Sequence, residues 1–195
     1  MKIAKVVGSN SHISYIARVL DERDGEGVPT EDEYGFGTFV SMDRGTERIV
    51  GVICDSRLVN PEYSNFSPRL AQMPALGELK RDLVDEQKAL IGILLLGSIS
   101  VGAAKQEIPR KVVPAGQMVE SMDGEAAAKF HRGANGDLQM HYFPNLMSQA
   151  GTLSVPLAKS IFAMLAPHCS DAERLRLDVM ANSLSWKHTF GENRF

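Results

Sequence analysis

Lys129, His131 and Arg132 stand just ahead of Gly133 and Gly136, and His141 follows a few positions on. Cations beside glycine-rich backbone can hold a phosphate or the end of a nucleic acid, because exposed N–H groups and basic side chains both favour anions. Catalysis asks more: a nucleophile or base within hydrogen-bond reach of an orienting partner, and no acid or nucleophile accompanies this cluster. Lys129 and Arg132 also suit a plainer part, since positive charge at the C-terminal end of a helix complements its dipole. Lys129, His131, Arg132 and His141 are therefore the candidates for an anion or partner contact. No catalytic residue, metal ligand or cofactor is expected.

Other residues that could do chemistry lead to less. Cys54 lies in the apolar pattern IVGVIC, where a buried thiol acts as a small hydrophobe, and Cys169 needs an exposed, electropositive setting to react. Neither has a CxxC partner, which argues against a metal site or a disulfide framework. Residues 21–37 carry seven carboxylates against one arginine, and such a charge run predicts a solvated loop. Within it Asp24, Glu26, Asp32 and Glu33 lack the alternating ligand order of a calcium loop. Gly97 and Gly102 have GxxxxG spacing, but Ala103 and Ala104 stand where a phosphate loop needs Lys and Ser or Thr.

The elements that must position these residues divide the chain into a strand-rich part, 1–150, and a helical part, 151–195. Strands are predicted over 3–7, 15–20 and 88–100, and a hairpin joins 39–42 to 49–54 through Asp43, Arg44, Gly45 and Thr46. The 88–100 stretch is rich in Ile, Leu and Gly and free of internal charge, as suits a strand buried on both faces. Prolines make 61–74 a loop, and Leu76, Leu79, Leu83 and Val84 give a short amphipathic helix.

Pro114, Ala115 and Gly116 form a turn, and Asp123 caps a short helix that runs to Phe130 and ends at Gly133 or Gly136. Alternation over 138–142 predicts a half-exposed strand. After Gly151, Val155, Ala158, Ile161, Phe162 and Leu165 mark one helix. Ser170 and Glu173 form a capping box for another, carrying Leu175, Leu177, Met180 and Leu184. The pair makes a helical hairpin, and Trp186, Phe190 and Phe195 in the tail either pack back on it or offer a docking surface.

Composition narrows the class. With 195 residues, 44% hydrophobic and 23% charged, the chain suits one ordinary domain with a small appendage. A net charge of −3 disfavours independent nucleic-acid binding, so any such binding should be weak and vanish near physiological salt. The apolar run 89–96 is broken by Gly92 and stops far short of the roughly 20 residues that span a bilayer. The apolar core of MKIAKVVGSNS is too short for a signal peptide, so a cytoplasmic protein is expected.

The order of these pieces is similar to the HAS barrel, the small β-barrel at the N-terminus of HerA-type DNA translocases and of rotary ATP synthase subunits. The likeness to the HerA form covers about the first 150 residues. It is carried by Ile3 to Gly8, by Gly37 to Val40 and Val50 to Ile53, and by Pro114 to Val119, Glu125 to Phe130 and Gly136 to Leu146. Here the barrel leads into a helical hairpin where the translocases carry an ATPase motor, with no GK[ST] loop, and the acidic 21–37 loop is longer than the family's turn.

The resemblance implies a mainly β fold, a small closed or partly open barrel with short helices and a C-terminal α-helical hairpin. It also implies a role in assembly, since in HerA the barrels ring the hexamer and contact the nuclease NurA. The expected function is that of a non-catalytic stand-alone barrel that binds protein, either itself as a homo-oligomer or ring, or a HerA-like ATPase or nuclease in DNA processing. The competing reading is an enzyme or an anion- or nucleotide-binding protein using the basic cluster around Lys129 and Arg132.

Overall fold

A computed structural model describes residues 1–25, 27–59, 88–100 and 103–191, the side chains of 59, 88 and 187–191 excepted. The loop expected over 61–74 and the helix over 76–84 lie outside the described residues. So do Glu26, Gly102, Phe195 and the side chain of Phe190.

Among the described residues, seven strands follow one another as β1 (Lys2–Ser9), β2 (Ser14–Val19), β3 (Phe39–Asp43), β4 (Glu47–Val59), β5 (Lys88–Ser100), β6 (Ala103–Lys105) and β7 (Met118–Ser121). Their order in the sheet is β2-β1-β7-β3-β4-β5-β6, and β2 also pairs with β5. All pairs are antiparallel, so six strands close into a barrel and β6 extends β5 outside the ring. The fold is thus a mainly β, closed barrel with short helices and C-terminal helices.

The sequence accounts for most of this. On β2, Tyr15, Ala17 and Val19 are buried and the residues between them half-buried, the period-2 pattern of a strand with one face inward. Asp43 and Gly45 make the β3–β4 turn, where Asp43 Oδ1 accepts the Gly45 N–H at 2.9 Å and Gly45 has φ +78°. The long β4–β5 pair slips register between Val50 and Gly51 and again between Ile53 and Asp55; such bulges add the bend that closure requires.

At the first of its two short 3-10 turns, Glu22–Asp24 and Glu31–Tyr34, the acidic loop is anchored rather than fully solvated. Asp24 accepts from Arg18 at 2.7 Å and from Lys5 at 2.9 Å. Arg18, the Asp21 N–H and Lys5 together hold its carboxyl well below the usual carboxylate range.

Among the described residues, four α-helices follow the last strand: α1 (Gly124–Phe130), α2 (Phe143–Gln149), α3 (Ser154–Leu165) and α4 (Asp171–Gly191). Leu157, Ala158, Ile161 and Leu165 of α3 belong to the same buried cluster as Ile3, Val40 and Ile93 of the barrel, so one core runs from strands into helices. Among the described residues, no helix is long and apolar enough to cross a membrane.

Two local expectations need correction. Residues 138–142 are not a strand: Leu138 makes a single bridge to Arg132, and Tyr142 turns inward to open α2, whose Pro144 sits in the first turn where its missing donor is harmless. Helix α1 ends at His131 rather than at a glycine, with the His131 N–H donating to the Ala128 carbonyl at 3.0 Å. Leu175 does not share the face of Leu177: it is 65% exposed while Leu177 is 2% exposed, as two helical residues about 200° apart must be.

Gly37 shows how tightly barrel and helices meet. It has φ +85°, and a Cβ there would run into Ser160 Oγ of α3. Gly37→Ala should therefore cost roughly 1–3 kcal/mol from backbone strain and overpacking, read as a lower urea midpoint. An unchanged midpoint would contradict this packing of α3 on the barrel.

Candidate functional site

Asp123 starts α1 as the sequence predicts, its Oδ1 accepting the Ala126 N–H at 2.7 Å. At the other end, two adjacent side chains turn in opposite directions. His131 goes inward and is 0% exposed, edge-on to the rings of Phe39, Phe130 and Tyr142. Its Nδ1 lies 2.6 Å from the Ala127 carbonyl and its Nε2 2.7 Å from the Tyr142 hydroxyl. A carbonyl can only accept, so Nδ1 carries the proton and Nε2 accepts from Tyr142. Burial pushes His131 down to about 4, against the opposing pull of the Ala127 carbonyl, and pushes the Tyr142 phenol far up. Both are neutral at pH 7 and fully bonded within the core. His131 is thus a core residue, not an anion contact.

Arg132 goes outward and clamps two elements together. Its Nη1 reaches Glu173 Oε1 at 2.5 Å and the Gly136 carbonyl at 3.0 Å, while Nη2 donates to the His168 carbonyl at 2.6 Å. Glu173 is also the acid of the predicted capping box, its Oε2 accepting the Ser170 N–H at 2.9 Å and the Ser170 hydroxyl at 3.0 Å. Arg132 first, and the Ser170 N–H second, hold Glu173 down at about 2. One guanidinium thereby fixes the bend after α1 to the start of α4.

Lys129 and His141 are exposed. The His141 N–H donates to Gln106 Oε1 at 2.7 Å, and Gln106 Nε2 donates to the carbonyls of Phe130 at 3.0 Å and Gln139 at 2.9 Å. The four residues singled out from the sequence therefore do not converge on one site. Sequence reading passed over Gln106 and Tyr142, whose partners lie far away along the chain. A buried glutamine bridging three backbone groups has no local signature.

The thiols are equally quiet. Cys54 donates to the Gly92 carbonyl at 3.5 Å, and burial pushes both Cys54 and Cys169 up, away from the reactive thiolate.

A cleft of about 280 Å³ lies between the barrel and α3, lined by Gly37, Thr38, Met122, Asp123, Ser160 and Met164 among others. Its carboxylate already caps α1, and none of Lys129, His131, Arg132 and His141 lines it.

The outer face of α4 is different in kind. Leu175, Val179 and Trp186 are 65%, 61% and 67% exposed, and at helical spacing they form a single stripe. The opposite face of the same helix carries Leu177, Met180, Ala181 and Leu184, which pack into the core cluster. Of the three aromatic residues expected as a docking surface, Trp186 is thus placed on an exposed apolar stripe.

A family model described as Domain of unknown function (DUF8166) matches residues 1–192, from β1 through α4. No curated protein matches the chain.

The buried histidine makes an acid-side prediction. Unfolded, it takes a proton near 6.5; folded, it resists until about 4. Between those values the unfolded chain binds more protons, so stability rises with pH and is fully present above 6.5. Roughly 3 kcal/mol should be lost between pH 6.5 and 4 from this group. Glu173 has the opposite chemistry and the same sign: its contribution is present above the ordinary value of 4.5 and lost as pH falls through about 2. Urea unfolding of His131→Phe across pH 4–7 should show a flattened slope, whatever its absolute stability. A slope equal to that of the unaltered chain would contradict the neutral, buried imidazole.

Proposed function

The chain belongs to the DUF8166 family, and we propose that it carries a barrel of the HAS type and acts as a cytoplasmic assembly or protein-interaction module with no chemistry of its own. In this reading it assembles with itself or serves a HerA-like ATPase or nuclease in DNA processing. The closed antiparallel barrel is compatible with that type.

The observation that carries the interaction role is the two-faced α4. A helix of a self-sufficient domain buries one apolar face and shows water a polar one. Here the inner face is buried in the core and the outer face presents Leu175, Val179 and Trp186. Large apolar side chains aligned on one exposed face are the mark of a surface that another protein covers.

The net charge of −3 supports a protein partner over direct contact with nucleic acid. The basic cluster adds little to the competing reading, since His131 is internal and Arg132 is bound to Glu173.

Light scattering on the purified chain, together with affinity capture, tests the proposal. The chain should form a defined complex, with itself or with a captured ATPase or nuclease. Leu175→Glu combined with Val179→Glu should abolish it while leaving the melting temperature within a few degrees. A strict monomer that captures nothing, or a complex indifferent to the double substitution, would overturn the proposal.

A further inference from the structure

Along the outer face of α4, Ala172, Leu175, Val179, Asn182 and Trp186 are all exposed. Their steps of three, four, three and four residues are those of a coiled-coil seam. On one side the seam is bordered by Arg176 and Ser183, and on the other by Asp171 and Asp178, again all exposed. One edge is therefore basic to neutral and the other acidic.

We infer that two copies of this chain pair through α4, parallel and in register, about a twofold axis running along the helices. This rests on reading α4 as an interaction surface and adds the identity and orientation of the occupant. The charge pattern selects both. In a parallel pair, the residue on one edge meets the residue five positions further along on the partner's opposite edge, which sets Asp171 against Arg176 of the second copy, twice by symmetry. In an antiparallel pair like edges meet, so the edge of Asp171 and Asp178 would lie along the partner's acidic edge and the edge of Arg176 along its own copy, leaving the acids without a basic partner; like charges in contact are unfavourable.

Within one chain Asp171 is available for this role. Its side chain is fully exposed and its contact with Arg174 Nη1 is long, at 3.4 Å. Asn182 fits the same arrangement. A polar residue in an otherwise apolar seam fixes register, because in register it meets its own copy and can bond to it, whereas any slip leaves it against Leu175 or Val179. The surface is self-complementary, as an interface about a twofold axis must be.

Site-directed crosslinking of the full chain tests both the partner and the direction. Leu175→Cys and Asn182→Cys, made separately and oxidised mildly, should each yield a covalent dimer, because in a parallel pair every seam residue faces itself. The unaltered chain under the same oxidant is the control for Cys54 and Cys169. In an antiparallel pair the two positions cannot both meet themselves, since a helix centred on one separates the other from its copy by about 21 Å.

Arg176→Asp should weaken dimerisation roughly tenfold, through two lost and two repulsive contacts. Adding Asp171→Arg to the same chain should restore it. Crosslinking at only one position, or a double charge swap that fails to rescue, would overturn the parallel pairing. A chain that stays monomeric from micromolar to hundreds of micromolar would remove the second copy as occupant, while affinity capture still decides whether α4 serves a different protein.

Discussion

Closure of the barrel depends on β7, a four-residue strand that enters from far along the chain and lies between β1 and β3. Val119 stands opposite Ala4 on one side, and Glu120 opposite Ser41 on the other. Its flanks are tied as well: the Ser121 N–H donates to the Met1 carbonyl and the Met122 N–H to the Phe39 carbonyl, both at 2.8 Å. With β7 in place, β1 and β3 have no open edge there, and the chain that leaves β7 is delivered directly to α1. The helices can then build outward on β3, where Phe39 meets His131 and Gly37 meets Ser160.

That closure also limits how the molecule can meet others. Sheet edges are ready templates for another chain, and a barrel abolishes most of them. Among the described residues, the strand edge that remains belongs to the short β6 and to the far arm of β4, where Asp55 and Arg57 place charge. Charged, short edges disfavour strand addition. In the proposed interaction role, contact with another protein is therefore directed to the helices, and of these α4 carries apolar side chains on both of its faces. The Arg132 clamp matters here because it sets the start of α4, at Glu173 and His168, against the rest of the fold. A surface held that firmly needs little ordering when it binds.

Much of the fold was legible because its signals are local. The apolar run of β5, the Asp43–Gly45 turn, the Asp123 cap and the Ser170–Glu173 box each lie within a few residues, and each forms as written. β7 was not legible: MVES has no strong strand pattern, and its conformation is imposed by β1 and β3. Residues 138–142 misled for the opposite reason, alternating like a strand while Tyr142 is drawn into the core by His131.

The candidate cluster was legible as a group of cations but not as a geometry. His131 and Arg132 are neighbours in sequence, yet the helix end sends one inward and the other outward, and their partners lie 11 and 41 residues away. The stripe on α4 was half legible. The apolar residues Leu175 and Leu177 mark one helix, and the packing of Leu177 beside an exposed Leu175 shows that it has two separate apolar faces.

Hydrogen exchange on the full chain, followed as protein concentration rises from micromolar to hundreds of micromolar, tests most directly whether contact runs through the helix and not through the sheet. The amides of α4 should become more protected with concentration while those of β4 and β6 keep their rates. Increasing protection along β4 or β6, with α4 unchanged, would contradict it.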